Sequence, residues 1–479
     1  MAKTSNSQHH HLNILTPLIN ESLYVGVDIG KRSHVAGFVS TTLLTRHERF
    51  EGCPVLAFEQ SREGFRALVD RIQTYVPLAQ AYIMVEKTGH YHNALVQYLQ
   101  ELDVSVYMIH VQERPKGMIK TDKRDALGLA NTLYNQLELG VQVANRTQLV
   151  RRAVPPTESA SLLKGLIRHR YELSQEAAQR KNKLIAICDE VFPEFTVICK
   201  DPCLPSALTI REQFPTPQAV ATASLTALQA ARGKNHLLTD DKLAHLQRLA
   251  SQSIGTKDVG RLKGLLIEQK QVIRELKVLQ EHLGELNAEI VQIVEHSREG
   301  QILTSIPPIG PIQAATIIAA IGHIDNFESA ARLKSYFGWA PTVAQSGRTL
   351  DSTRLTRGGT RTMKQVFFLI VGSAIQKKDC EWAKLYERLV PIKCRWDERT
   401  RSYKGKLVVI GRLAGQMIEM IYALLKKDAE TLQKTPKGQE LPPPTLYDPE
   451  VHRTHRQGKY QSMKLETQST KIVQLSKQS

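Results

Sequence analysis

Two kinds of hydrophobic periodicity divide the chain. Between residues 21 and 145, short apolar runs bounded by turn residues alternate with amphipathic stretches. They predict strands at 23–28, 33–40, 45–51, 81–86 and 104–109. Helices are predicted over Glu63–Tyr75 and Tyr91–Leu102, and from Asp122 to about Gln136. From residue 157 the period changes to seven. One long helix runs over 157–193 and stops at Phe192-Pro193, with Leu166, Leu173 and Ile187 on one heptad position. Leu163, Ala177, Leu184 and Val191 fall on the other, and Arg170 and Arg180 interrupt the seam. A second long helix covers 258–298. There Leu265, Val272, Leu279, Leu286 and Ile293 repeat every seven residues, with Leu262, Leu276, Leu283 and Ile290 between them. Gln269 is the lapse in that alternate row. This is a coiled-coil pattern, and it fits pairing within the chain as well as pairing with a second subunit.

The order of elements in 21–150 is three antiparallel strands, then alternating helix and strand. It predicts an α/β domain of the ribonuclease H-like (RuvC-like) kind, preceded by a flexible segment 1–20. The helical region 157–298 would carry an insertion at 200–256, where prolines 202, 205, 215 and 217 precede Ala/Leu-rich helical pieces. Residues 299–427 read as an all-α domain. Residues 428–479, rich in Lys, Gln, Pro, Ser and Thr, read as a disordered basic tail.

Charge narrows the class. There are 64 Lys+Arg against 47 Asp+Glu, a formal net charge of +17. Over half of the excess lies in 348–406, which holds 15 Lys+Arg and 6 Asp+Glu, a net of +9. A polyanionic partner is expected from counterion release, without distinguishing DNA from RNA. The six cysteines form no disulfide framework, and Cys199 and Cys203 lack the second pair that a zinc site needs. The first twenty residues are polar and Val366–Ile375 is too short to span a bilayer, so a soluble cytoplasmic protein with no membrane partner is expected.

The candidate chemistry is carried by four acids. Asp28 ends the apolar run LYVGVD and Glu86 ends AYIMVE; Asp122 and Asp125 sit three apart where a helix begins. A carboxylate at the end of a buried strand is costly to desolvate without a partner. Two strand ends and an i,i+3 pair on one helix face can converge, and hard divalent cations take such oxygen ligands. Mg2+ is the expected ion, with Mn2+ as an alternative. Two such ions clamp the attacking and leaving oxygens of a phosphodiester. Lys31, Lys87, Lys120 and Lys123 flank the acids as a phosphate track would.

Two further segments carry candidate chemistry. LTSIPPIGPIQAATIIAAIG at 303–322 predicts a helix-hairpin-helix-like element, whose backbone N–H groups near Gly310 would hold a DNA phosphate. Pro308 stands where a glycine N–H is usual and cannot donate. GWAPTVAQSGR at 338–348 places Ser346 in a basic loop after a helix. As a nucleophile Ser346 would need cations for the phosphorane charge, and Arg348, Arg354, Arg357 and Arg361 are the candidates. His452, Arg453, His455, Arg456 and Tyr460 are too crowded for the His/Arg/Tyr chemistry of tyrosine recombinases.

VGVDIGKRSH, VEKTGHYHNALVQYL, IKTDKRDALGLA, RHRYELSQEAAQRKNKLIAICDEVFPEF, SIPPIGPIQAATIIAAIG and LKSYFGWAPTVAQSG occur in this order. Together they resemble the DEDD transposases of bacterial insertion-sequence family 110 and its 1111-type branch, to which pilin-gene DNA invertases are related. The resemblance covers roughly 20–427. It implies a Mg2+ site of Asp28, Glu86, Asp122 and Asp125, and Ser346 as the nucleophile of a phosphoserine link to cleaved DNA. It also implies a homo-oligomer, dimer or tetramer, in which the acids of one subunit meet the serine of another. The partners implied are double-stranded DNA, as element ends and target, and a noncoding guide RNA encoded by the element. The chain departs from the family pattern at Lys87, at Pro308 and at Lys364, where arginine is frequent.

The function expected is therefore a DNA transposase or recombinase that cuts and rejoins strands. The alternatives are a RuvC-like metal-dependent structure-specific nuclease and a site-specific invertase. A sugar-kinase or actin-like ATPase would use Asp28-Ile29-Gly30 as a first phosphate loop, but the second loop it needs is missing from the sequence.

Overall fold

The computed structural model describes residues 17–87, 89–110, 121–140, 150–346, 350–377, 379–436 and 438–454; for a few of these only the backbone is described. They divide at Pro155/Pro156 into two compact units.

The first unit is α/β. Its elements are β1 Leu23–Ile29, β2 Ser33–Val39, α1 Thr41–His47, β3 Val55–Glu59, α2 Arg62–Gln73, β4 Ala81–Lys87, α3 His92–Glu101, β5 Ser105–His110, α4 Asp122–Leu137 and β6 Val150–Arg152. The six strands form one sheet in the order β3-β2-β1-β4-β5-β6. β2 is antiparallel to β1 and β3, while β1, β4 and β5 run parallel and β6 closes the edge antiparallel. Strands flanked by helices on both faces lose their alternation and read as continuous apolar runs, as β1 and β4 do. The third strand lies at 55–59 and not at 45–51. Ser40 caps a helix instead, its Oγ accepting the Leu43 N–H at 3.2 Å, so Thr41–His47 coils and the next strand waits until after Pro54. Ahead of the sheet, the Leu18 N–H donates to the Tyr75 carbonyl at 2.8 Å.

The second unit begins with two long helices, α5 Glu158–Val191 and α11 Val259–His296. Between them lie α6 Phe195–Ile198, α7 Pro205–Gln213, α8 Pro217–Thr222, α9 Leu225–Arg232 and α10 Asp240–Ser251. α5 and α11 pair with each other as an antiparallel hairpin. The Arg170 Nε donates to Asn287 Oδ1 at 2.7 Å, Arg180 pairs with Glu275, and Arg261 forks onto Glu190 at 2.6 and 2.8 Å. The arginines that interrupt the seam in sequence are thus rungs between the helices. Leu173, Ala177 and Leu184 meet Val272, Ile273, Leu276 and Leu279 in one apolar cluster.

α6 and the four short helices of 200–256 pack on the far end of this hairpin around Phe195, Ile210, Leu243 and Leu246. They also account for Gln269. That side chain is buried, and its Oε1 accepts from the Nη2 and Nε of buried Arg211 at 2.7 and 3.2 Å. Arg211 donates further to the Leu184 and Pro202 carbonyls, at 2.9 and 3.2 Å. The lapse in the heptad is the socket for a charge brought by the insertion. A buried guanidinium is tolerable only when its donors are met.

The remaining elements are α12 Arg298–Thr304, α13 Pro311–Ile321, α14 Ala330–Phe337, β7 Pro341–Ser346, β8 Leu350–Leu355, α15 Arg361–Gln376, α16 Glu381–Lys393, β9 Arg395–Asp397, β10 Ser402–Lys404, α17 Leu407–Lys434 and α18 Pro449–Thr454. Helices dominate, but the domain is not all-α, because β7–β8 and β9–β10 are two separate two-stranded ribbons. α17 is the one helix among the described residues long and apolar enough to cross a membrane. Its Leu413, Met417, Ile421 and Leu424 are buried against α13–α16 as a core stripe.

Over 428–454 the structure departs from the expected disordered tail, while 455–479 lie outside the described residues. Asp428 is buried and takes a forked pair of bonds from Arg298, at 2.6 and 3.2 Å. Arg298 Nη1 donates to the Pro442 carbonyl at 2.8 Å, and the Tyr447 N–H donates to Ser305 Oγ at 2.9 Å. The segment after α17 therefore returns across α12 as a strap. His455, Arg456 and Tyr460 lie outside the described residues.

Candidate active site

β1, β4 and α4 bring the four acids toward one end of the sheet. Alternation along β1 puts Tyr24, Gly26 and Asp28 on the same face. That face belongs to α4. A Cβ on Gly26 would lie 2.1 Å from the Ala126 carbonyl oxygen and 2.3 Å from the Ala130 nitrogen; one on Gly37 would lie 2.8 Å from the Leu127 nitrogen. Two glycines opposite each other in the β1–β2 ladder thus let the helix backbone sit directly on the sheet.

The direction of α4 follows from its contacts. Tyr24, early in β1, meets Tyr134 edge-on at 5.4 Å and donates its hydroxyl to Glu138, while Gly26 meets Ala126 and Ala130. The helix runs antiparallel to β1, so its first turn, with Asp122 and Asp125, lies toward Asp28. The parallel register pairs Val27 with Val85, which brings Asp28 and Glu86 abreast one step further on. Neighbouring strands are about 4.8 Å apart. Both carboxylates share the α4 face.

Asp28, Glu86 and Asp125 are half-buried, and Asp125 Oδ2 is closed off from solvent; Asp122 is exposed. Thr121 caps α4, its Oγ1 accepting the Arg124 N–H at 3.2 Å, and the helix dipole favours the two acids in this turn. Arg124 pairs with Glu51 at 3.4 Å. Lys31 and Lys123 are exposed at the same end; Lys120 lies outside the described residues. Among the described residues, no three His, Cys, Asp or Glu side chains are gathered tightly enough to enclose a metal ion. The donors fit a hard cation by chemistry and by shared face, as an open rim rather than a closed cage. Mg2+ retains several waters and needs only one or two carboxylates.

On the opposite face of the sheet His34 of β2 is buried beside Phe58 of β3 and Phe65 of α2. It accepts the Gly30 N–H on Nδ1 at 3.3 Å, so its Nε2–H points to Gln60, whose amide donates to the Tyr91 carbonyl at 3.1 Å. Burial lowers the His34 pKa, opposed by the Gln60 bond. This neutral histidine fixes the turn at Gly30 that follows Asp28. The sequence hinted at Gly26 through a glycine inside an apolar strand, a mark of close backbone approach; nothing singled out His34.

In the second unit Ser346 ends β7 and pairs in backbone register with Leu350, so it sits on a strand rather than in a loop after a helix. The ribbon's foot is fixed. Trp339 is buried, and the Thr356 N–H donates to the Ala340 carbonyl at 3.0 Å. Five residues of strand from Pro341 carry Ser346 about 17 Å along the ribbon from that foot. Gly347 and Arg348 lie outside the described residues, and Arg354 is described by its backbone in β8. Arg357 and Arg361 are exposed near the foot. Lys364 is spent on structure: its Nζ donates to the Thr356 and Arg357 carbonyls at 2.9 and 3.3 Å, beside the close approach of Gly338 and Gly359.

The helix-hairpin-helix-like segment forms two helices, α12 and α13, but its turn is packed in the core through Ile306 and Ile309. The Gly310 N–H donates to Gln313 Oε1 at 2.9 Å. That group closes its own helix cap instead of facing a phosphate, and Pro311 offers no N–H.

A transposase domain model, of the IS110-type DEDD kind, matches residues 25–193, and the model of the Transposase IS116/IS110/IS902 family matches 300–387. The first spans all four acids and the second spans Ser346. The chain belongs to this family of insertion-element transposases, enzymes that cleave and transfer DNA strands. It is 25% identical over 332 residues to the insertion element IS110 43.6 kDa protein of Streptomyces coelicolor, covering 68% of this chain and 75% of that one. It is 22% identical over 366 residues to the insertion element IS116 44.8 kDa protein of Streptomyces clavuligerus, covering 75% and 86%.

Proposed function

We propose that the chain is the recombinase of a bacterial insertion element, cutting and rejoining double-stranded DNA in the cytoplasm through a carboxylate site and a serine nucleophile. The observation that carries this reading is topological. An antiparallel helix laid on two strand glycines turns Asp122 and Asp125 toward the sheet end where Asp28 and Glu86 stand abreast. That order of strands with a late acidic helix supports a ribonuclease H-like, RuvC-like domain.

Asp28, Glu86, Asp122 and Asp125 would hold Mg2+, or Mn2+ in its place. When bound, such an ion polarises a phosphodiester and offsets charge on its oxygens. The chain's own residues supply the rest. Lys31, Lys120 and Lys123 draw the DNA backbone to the rim, and Arg348 offsets negative charge around Ser346; Arg354, Arg357 and Arg361 stand toward the foot of the ribbon, too far along it to reach that phosphorus, and would hold the DNA backbone beyond it. Ser346 Oγ bonds to phosphorus, the bond to the leaving DNA oxygen breaks, and the serine proton ends on that oxygen. The phosphoserine ester conserves bond energy, so reversal by another strand's hydroxyl reseals DNA without ATP. The active oligomer, a dimer or tetramer, would join the acids of one subunit to the serine of another. A noncoding RNA of the element, paired to target and donor DNA, would choose the sites.

The test is an adduct assay with purified protein, Mg2+, DNA from the element ends and RNA transcribed from the flanks. Wild type is expected to give a protein–DNA adduct on denaturing gels, lost in both Ser346→Ala and Asp122→Ala and dependent on the RNA. Cleavage without an adduct, unaffected by Ser346→Ala, would remove the serine and leave a nuclease that uses water.

A further inference from the structure

The β9–β10 ribbon contains none of the groups used above. Lys393, Arg395, Arg399, Arg401, Lys404 and Lys406 are all exposed along it. The acids beside them are Asp397 and Glu398, and Asp397 is turned to its own hairpin. It accepts the Arg399 N–H at 3.1 Å and the Thr400 hydroxyl at 3.0 Å, and pairs with Lys404 at 3.7 Å. Among the described residues, the other five cations form no ion pair. The hairpin tip places Arg401 at φ +46°, a left-handed conformation that glycine or asparagine adopts with less strain. Strain retained at a charged tip is a mark of function.

Register puts Trp396 directly across from Tyr403. The rings meet edge-on, with centroids 4.9 Å apart at 69°. Tyr403 packs on the helical core and so fixes the pair, while Trp396 remains 43% exposed. The chain's other tryptophans, Trp339 and Trp382, are buried in that core. A large apolar ring left in water on a cation-rich ribbon suits a base that has left its stack. Every base offers a π-face to such a platform, while arginine and lysine follow the phosphates.

We infer that the β9–β10 ribbon is a binding wing for an unpaired stretch of nucleic acid, with Trp396 stacking on one base and Arg399 and Arg401 holding the flanking phosphates. The inference rests on the nucleic-acid function proposed above and adds a site to it. The unpaired strand can be DNA opened during exchange or a loop of RNA, and the experiment separates these sources.

Fluorescence anisotropy would be measured on the full chain with labelled unpaired DNA, unpaired RNA of the same sequence, and duplex DNA. Trp396→Ala is expected to weaken binding of unpaired strands on the order of tenfold, leaving duplex binding within about twofold. Trp396→Tyr should restore most of the loss, which a merely structural role for the indole would not require. Unpaired strands should also quench the fluorescence of wild type more than that of Trp396→Tyr. Arg399→Ala with Arg401→Ala should weaken all three and flatten the dependence of affinity on salt by roughly two phosphate contacts. The larger tryptophan effect between the DNA and RNA arms identifies the source. Wild-type affinity in Trp396→Ala, or equal losses on duplex and unpaired strands, overturns the wing. A wild-type protein that binds none of the three overturns the nucleic-acid function with it.

Discussion

Adding one methyl group at Gly26 tests how the acids are positioned. In Gly26→Ala the new Cβ would stand 2.1 Å from the Ala126 oxygen, 2.3 Å from the Ala130 nitrogen and 2.7 Å from the Leu129 Cβ. Two of these are helix backbone, so no side-chain rotation relieves the overlap. Reaching a tolerable contact requires α4 to lift from β1 by about 1 Å. Overpacked cores typically cost about 1–3 kcal/mol, and a backbone clash belongs at or above the upper end. The same lift separates Asp122 and Asp125 from Asp28 and Glu86, and a misplacement of about 1 Å can cost on the order of a hundredfold in rate. Gly128, in the same helix, supplies the control. A Cβ there meets nothing within 4 Å, so Gly128→Ala should stabilise by up to about 1 kcal/mol through helix propensity. Urea unfolding and strand-cleavage rates on both variants read the two effects. If Gly26→Ala unfolds at the wild-type midpoint and cleaves within about twofold of wild type, the close seating of α4 does not set the carboxylate geometry.

The Arg211–Gln269 socket makes a second prediction: Gln269→Leu strands a buried guanidinium and should cost about 3 kcal/mol in thermal unfolding, whereas Arg211→Met together with Gln269→Leu should recover most of it. Equal losses in the single and double variants would refute the coupling. His34 makes a third. Its folded pKa lies below the unfolded value of about 6.5, so the unfolded chain binds the extra proton on the acid side. Stability from this group is complete above about pH 6.5 and falls as pH drops toward the folded pKa. Part of the acid-side loss of the urea midpoint should vanish in His34→Gln, and an unchanged pH profile in that variant would exclude His34 as its source.

Strands β1, β2, β4 and β5 and the two long helices were legible because burial on both faces, or on one seam, writes directly into hydrophobic spacing. The third strand was not. Thr41, Thr42 and Thr45 have strand-forming β-branches, and the Ser40 cap that coils them is a single hydrogen bond that periodicity does not register. The four acids could be read off as strand ends and a helix start, yet their mutual direction depends on Gly26 and Gly37, residues with no side chain to signal. Ser346 was legible as a position, but its strand was not, since a ribbon of two short strands buries little and imposes no alternation. The start of the tail, as far as residue 454, misled for a related reason. Its composition is that of a disordered segment, while its anchoring comes from isolated contacts made by Asp428, Pro442 and Tyr447.

That strap also governs timing. Domains fold as units while the chain is still emerging from the ribosome. The helical unit starts at α5, but Arg298 does not meet Asp428 and Pro442, nor Ser305 the Tyr447 N–H, until the strap itself has been made. A chain cut short before Asp428, by a stop codon or a frameshift, leaves the Arg298 guanidinium without its carboxylate and α12 without its cover. Such a fragment still carries all four acids in an intact first unit, but its Ser346 belongs to a second unit that cannot close, so quality control rather than active-site chemistry would decide its fate.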